Sequence, residues 1–109
     1  MKPVGYWPKE LFRGMTDQAG YAGFGGTVEA PINRPTPPMG SGHFPSEGDG
    51  KAAYFQYIEL VDKHNQFVIP DPELFDLVCS KPRCYQVSKL TETLQGLQFF
   101  FGGPGDCKG

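Results

Sequence analysis

A strong excess of charge of either sign is missing from this 109-residue chain. Ten Lys and Arg stand against twelve Asp and Glu, mixed along the sequence, for a net charge of −2 at pH 7. That gives no electrostatic case for a nucleic-acid partner or for an anionic membrane surface. Long apolar runs are missing too. No stretch approaches the roughly 18–20 residues of a membrane span, and Met1 to Pro8 lacks the apolar core of a signal peptide. Metal chemistry has little material. No His lies at zinc-site spacing from Cys79, Cys84 or Cys107, and the composition implies no cofactor. His43 and His64 stand alone in loop contexts and read as solvated. No Ser-His-Asp order or nucleophile elbow is present. Three cysteines leave two readings open, one disulfide with a thiol left over or three free thiols.

What is present is glycine, proline and aromatic rings. The 15 Gly and 11 Pro are roughly twice the average usage. Aromatics at 14% argue against disorder, because disordered chains of this kind are poor in Phe and Tyr. Short strands joined by long loops follow, so the expected class is all-β, part of an antiparallel β-sandwich. A core this short a chain can bury is modest.

Four strand signals recur. Tyr21 to Glu29 is a Gly-rich aromatic run, although glycine weakens strand interiors. Lys51 to Asp62 is the strongest, with apolar residues on both faces, which predicts that both are covered. Cys84 to Ser88 and Leu97 to Phe101 complete the set, with Asp62 to Asn65 as a turn. Helix is scarce. Pro8 opens one turn through Phe12, and Asp71 caps another that begins at Pro72 and runs to about Cys79. Between Ala30 and Gly50, five Pro and four Gly predict a long irregular loop. Four or five strands leave the double-sided one wanting a partner, so a second chain supplying strands to an open sheet edge is one expectation.

The candidate chemistry is thin. Met39-Gly40-Ser41-Gly42 and Gly102-Gly103-Pro104-Gly105 lack the strand, helix and Lys of a phosphate loop, and read as tight turns. Pro35-Thr36-Pro37-Pro38 matches a PxxP ligand only loosely, and a structural loop is the better reading. Among the acids, Glu10, Glu29, Glu47 and Glu59 could serve in a general acid–base pair. Glu59, among apolar neighbours, is expected to be half-buried.

Several segments in order resemble the C-terminal half of the neprosin domain. They are Gly5 to Phe12, Gly23-Phe24-Gly25-Gly26 with Val28, Met39 to Pro45, Glu47-Gly48, Lys51 to Tyr54, Val61-Asp62, Cys84-Tyr85, and Phe101 to Gly105 with Cys107. This plant family of secreted proteins has a glutamic, proline-directed endopeptidase as its type member. The resemblance implies one domain over 1–109, with the N-terminal half absent, and a secreted location. It also implies a Cys84–Cys107 disulfide, which fits an oxidising compartment. Peptide cleavage in the family is implied to use two glutamates that activate a water, one taking its proton while the other, protonated, assists the amide.

Two departures from the family pattern bear on activity. The first catalytic glutamate is implied to lie in the absent half. The second is implied to follow the Gly-Gly pair, where this chain has Thr27. A threonine hydroxyl does not ionise near neutral pH. Glu29 lies two residues on, on the same side of an extended strand but about 6–7 Å further along. Glu10, in the Trp-Pro turn, is the other candidate. A substrate groove would draw on Trp7 and Tyr54, although aromatics such as these, with Tyr21, Phe24, Phe55 and Tyr57, are expected mainly to fill the core. The expected role is therefore an inactive peptidase fragment. The alternative is a non-catalytic secreted β module that binds peptide or cell-wall polysaccharide.

Overall fold

The structure is a computed structural model that describes residues 4–14 and 19–107. Met1 to Pro3, the start of the N-terminal stretch considered above, lies outside them. The described chain is all-β and antiparallel, with strands β1 (Ala53–Phe55), β2 (Leu60–Val61), β3 (Phe67–Val68), β4 (Gln86–Val87), β5 (Thr91–Thr93) and β6 (Gly96–Gly102). Helix is confined to the 3₁₀ turns Lys9–Leu11, Pro45–Glu47 and Pro72–Leu74. β6 is the centre of a four-stranded sheet. It pairs with β1 on one side, and with β4 and β5 on the other. β2 and β3 form a separate ribbon.

The strongest strand signal is broken, and the break explains its pattern. Phe55 packs against the core, but Ile58 is part of it and Leu60 is half-buried. The core side therefore moves from odd to even positions. Between them Tyr57 takes a left-handed conformation, with φ 55°. Its N–H still reaches the Gln95 carbonyl at 3.0 Å, and the Ile58 N–H reaches Leu97 at 3.2 Å. An inserted residue shifts the strand by one and swaps its faces. Apart from Ala52, which is buried just before β1, two apolar faces in the sequence are thus one buried face read in two registers. The double coverage expected of Lys51 to Asp62 is not needed. Glu59, expected half-buried, lies on the outward side and is exposed.

Local chemistry fixes the turns. Asp62 Oδ1 accepts the N–H groups of His64 (2.8 Å) and Gln66 (2.9 Å), and Asn65 supplies a positive φ of 63°. That closes the ribbon register Val61↔Phe67, as expected of an Asx turn. Asp71 caps its helical turn by accepting the Glu73 N–H at 2.9 Å. This turn stops at Leu74 rather than near Cys79, because Phe75 is already extended (φ −93°, ψ 134°). Its ring leaves the turn to join the core.

That core is small. Ile58, Leu90, Leu97 and Phe99 are buried, with Phe55, Phe75, Val87 and Phe101 partly buried around them. Alternation along β6 puts Leu97, Phe99 and Phe101 on the core face. The rings of Phe55 and Phe99 stack at 5.2 Å. Several rings expected in the core are outside it: Trp7, Tyr21, Tyr54 and Tyr57 are exposed. The accessible surface is 9066 Å² and the radius of gyration 16.3 Å.

Candidate functional site

Residues 21–30 run without turn or bend, and Gly23, Gly25 and Gly26 all avoid positive φ. The segment is not a strand, contrary to the sequence reading. No backbone hydrogen bond joins it to any described residue. It lies on the sheet by alternate side chains. Phe24 packs edge-on to Phe55 at 6.0 Å and tilted to Phe75 at 6.4 Å. Gly26 sits where a Cβ would meet Met39 Sδ at 2.8 Å and the Phe101 ring at 3.0 Å. Val28 is half-buried. Phe24, Gly26 and Val28 therefore face the sheet and Gly25, Thr27 and Glu29 alternate with them, although of these six only Val28 is half-buried.

Thr27 is thus on the outward side, and Glu29 shares that side, as the sequence periodicity implied. Glu10 is exposed in the first 3₁₀ turn. Neither Glu10 nor Glu29 makes a hydrogen bond or ion pair with another described residue. No pair of carboxylates is assembled among the described residues around position 27. Trp7 and Tyr54 are exposed. Tyr54 meets Phe100 edge-on at 6.4 Å on the face of the sheet away from the core. Neither ring lines the groove over Leu90 and Phe99, the one beside Met39 or the one beside Val61.

A more organised set of polar groups lies in the Pro-rich loop, where sequence reasoning saw only solvated residues. Glu47 Oε2 accepts the Phe44 N–H at 3.1 Å and His43 Nδ1–H at 3.0 Å. This carboxylate caps the Pro45–Glu47 turn from within, because Phe44 has no side-chain acceptor to do so. The Ser41 hydroxyl donates to the Lys51 carbonyl and accepts the His43 N–H. Ser41, His43 and Glu47 resemble a nucleophile triad in composition only. The serine proton is committed to a backbone carbonyl, so the arrangement shapes the loop rather than a nucleophile. The signal that could have found it was the spacing of Phe44 and Glu47 around Pro45, one half of a capping box.

The Cys84–Cys107 disulfide is formed, with Cα atoms 6.0 Å apart. It anchors a strap, Gly103 to Cys107, against Thr36 to Met39. Met39 and Gly103 exchange both backbone bonds, at 3.0 and 3.2 Å. Thr36 N–H donates to Cys107, and its carbonyl accepts from Asp106 at 2.8 Å. Its Oγ1 accepts the Cys107 N–H at 3.0 Å. Tyr85 Oη adds a bond to the Pro37 carbonyl at 2.7 Å. Met39, held this way, is the residue that meets Gly26. The Gly-rich ending is therefore a close-packing device, since a Cβ on Gly103 would collide with the Cys84 carbonyl. Cys79 is a free, exposed thiol whose Sγ lies 2.8 Å from the Tyr85 carbonyl.

Among the described residues, no group of three or more His, Cys, Asp or Glu could hold a metal. No helix among them is long and apolar enough to cross a membrane. The strap, the Met-Gly-Ser-Gly-His loop and the Gly-Gly segment that meet here are the parts that carried the resemblance in the sequence. The family model described as Neprosin matches residues 1–104, and the chain belongs to the Neprosin family.

Proposed function

We propose that the chain is the C-terminal portion of a secreted glutamic-peptidase domain that lacks catalysis as it stands. The observation that supports this reading is Thr27, on the outward side of a Gly-Gly segment and without a carboxylate pair around it. A working pair needs one acid to take the proton of water and another, protonated, to assist the leaving amide. Thr27 can do neither at neutral pH. Glu29, on the same side, is displaced by about 6–7 Å along an extended chain, and a misplacement of even 1 Å can cost about 100-fold.

The test is a hybrid domain that joins the N-terminal portion of a complete family member to residues 1–109. It is expected to be inert on Pro-containing peptides. Thr27→Glu should raise turnover by roughly 10²–10⁴-fold. A folded hybrid that ignores Thr27→Glu but is active, and loses activity in Glu10→Gln or Glu29→Gln, would move the role to that acid. Cleavage by the unmodified 109-residue chain alone would refute the reading.

A second reading is favoured by the exposure of Trp7 and Tyr21. Exposed rings of this kind bind peptide or polysaccharide by stacking. Saturable change in Trp7 fluorescence with Pro-rich peptides or wall polysaccharide would support it, and a flat titration would count against it.

A further inference from the structure

The three cysteines meet at one corner of the sheet. Residues 81–84 form a turn in which the Cys84 and Tyr85 N–H groups both end on the Lys81 carbonyl, at 3.0 and 2.9 Å. Gln86 Nε2 adds a bond to the Pro82 carbonyl at 3.0 Å. The turn folds Cys79 back, so that its Sγ lies 2.8 Å from the Tyr85 carbonyl, on the residue that follows the bonded Cys84. Cys79 is a free thiol, and residues 79–83 are all exposed. The turn can therefore tighten without unpacking the core. A thiol held beside a disulfide is a nucleophile placed beside its electrophile.

Two pairings of Cys84 thus compete. Cys107 is 23 residues away, and Cys79 only five. In a chain without structure, loop-closure entropy favours the shorter loop by about tenfold. What opposes it is the strap. Met39 and Gly103 exchange two backbone bonds, Thr36 makes two more with Cys107 and Asp106, and Thr36 Oγ1 accepts the Cys107 N–H. Each such bond is worth roughly 2- to 12-fold. Several together outweigh the tenfold bias, so the Cys84–Cys107 bond is the favoured pairing only while the strap is docked.

We infer that Cys79 is an internal exchange partner for this disulfide, and that the chain interconverts between a clasped isomer (Cys84–Cys107) and an unclasped one (Cys79–Cys84). In the step, the Cys79 thiol gives its proton to solvent and the thiolate attacks Cys84 Sγ. The Cys79–Cys84 bond forms as the Cys84–Cys107 bond breaks. Cys107 leaves as a thiolate and takes up a proton in turn. The number of disulfides does not change, so no oxidant or reductant is consumed. Release of Cys107 frees the strap from Thr36 and Met39. Met39 is the residue that meets Gly26, and Met39, Cys79, Gly25 and Gly26 line one groove of about 200 Å³. The isomer present therefore sets how firmly the segment bearing Thr27 is seated.

The test is disulfide mapping of the oxidised 109-residue chain, with no thiol or oxidant added. Free thiol is blocked with a maleimide. Trypsin then cuts after Arg83 and Lys89, which leaves the three cysteines on separate peptides. In native buffer the label should sit mainly on Cys79. In concentrated urea at mildly alkaline pH, Cys79–Cys84 should exceed Cys84–Cys107 by about tenfold, and dilution should return the label to Cys79. Cys79→Ser should keep Cys84–Cys107 in both solvents. Thr36→Val, which removes the Oγ1 acceptor, should raise native labelling of Cys107 by about fivefold. Label that stays on Cys79 in urea would overturn the inference. So would a failure to return on dilution, or an unchanged Cys107 label in Thr36→Val. Labelling of Cys107 that grows with protein concentration would assign the exchange to pairs of chains and overturn it as well.

Discussion

Glycines that look alike in the sequence differ sharply in what they permit. Gly103 accepts no side chain, because its missing Cβ is where the Cys84 carbonyl lies. Gly25 faces open space at negative φ. Gly103→Ala should therefore cost about 2 kcal/mol or more, as overpacked sites do, and Gly25→Ala should be near neutral or slightly stabilising. Urea unfolding of the two variants checks both. Equal effects would show that the strap is not packed as described. Tyr57 is the other telling residue. Its left-handed backbone is costly for a bulky side chain, and Tyr57→Gly should stabilise the break, whereas Tyr57→Val should destabilise it.

Elements with their own chemistry were legible in the sequence. Asp62 and Asn65 announced their turn, Asp71 with Pro72 announced a helical start, and alternating Leu97, Phe99 and Phe101 announced β6. Asp62→Ala should cost about 1–2 kcal/mol, since two N–H groups lose their acceptor, and the β2–β3 amides should then exchange faster. What was not legible depended on contacts distant in sequence. Tyr57 cannot be distinguished from a strand residue without knowing that the Gln95 and Leu97 carbonyls capture its own amide and the next one. Residues 21–30 have a strand-like composition but no backbone pairing with any described residue. The Gly-Gly segment and Thr27 could be placed from their resemblance to a family, while the His43–Glu47 contact required the loop to fold back around Pro45. Glu59 was misjudged for the reason that governs its whole strand, a shift of register that changed which side was inside.

For the whole molecule, the strap is tied down by the Cys84–Cys107 disulfide and by hydrogen bonds to Thr36 and Met39. Replacing both Cys84 and Cys107 by Ala should cost about 3 kcal/mol, the chain-entropy value for a loop of this size, which spans 23 residues. It should also open residues 30–38 to proteolysis before the rest of the chain. If cleavage begins in β6 instead, the strap is not the retaining element. The same strap sets an order of events in biosynthesis. Thr36 bonds to Cys107 across 71 residues of sequence, and closing so long a loop is slow compared with local turns. As the chain leaves the ribosome, the turns at Asp62 and Asp71 can form early. The segment that carries Thr36 to Met39 has to wait until its last partner has been translated and oxidised, and a polypeptide stalled before Cys107 would present that proline-rich stretch to the cell's quality control unclasped.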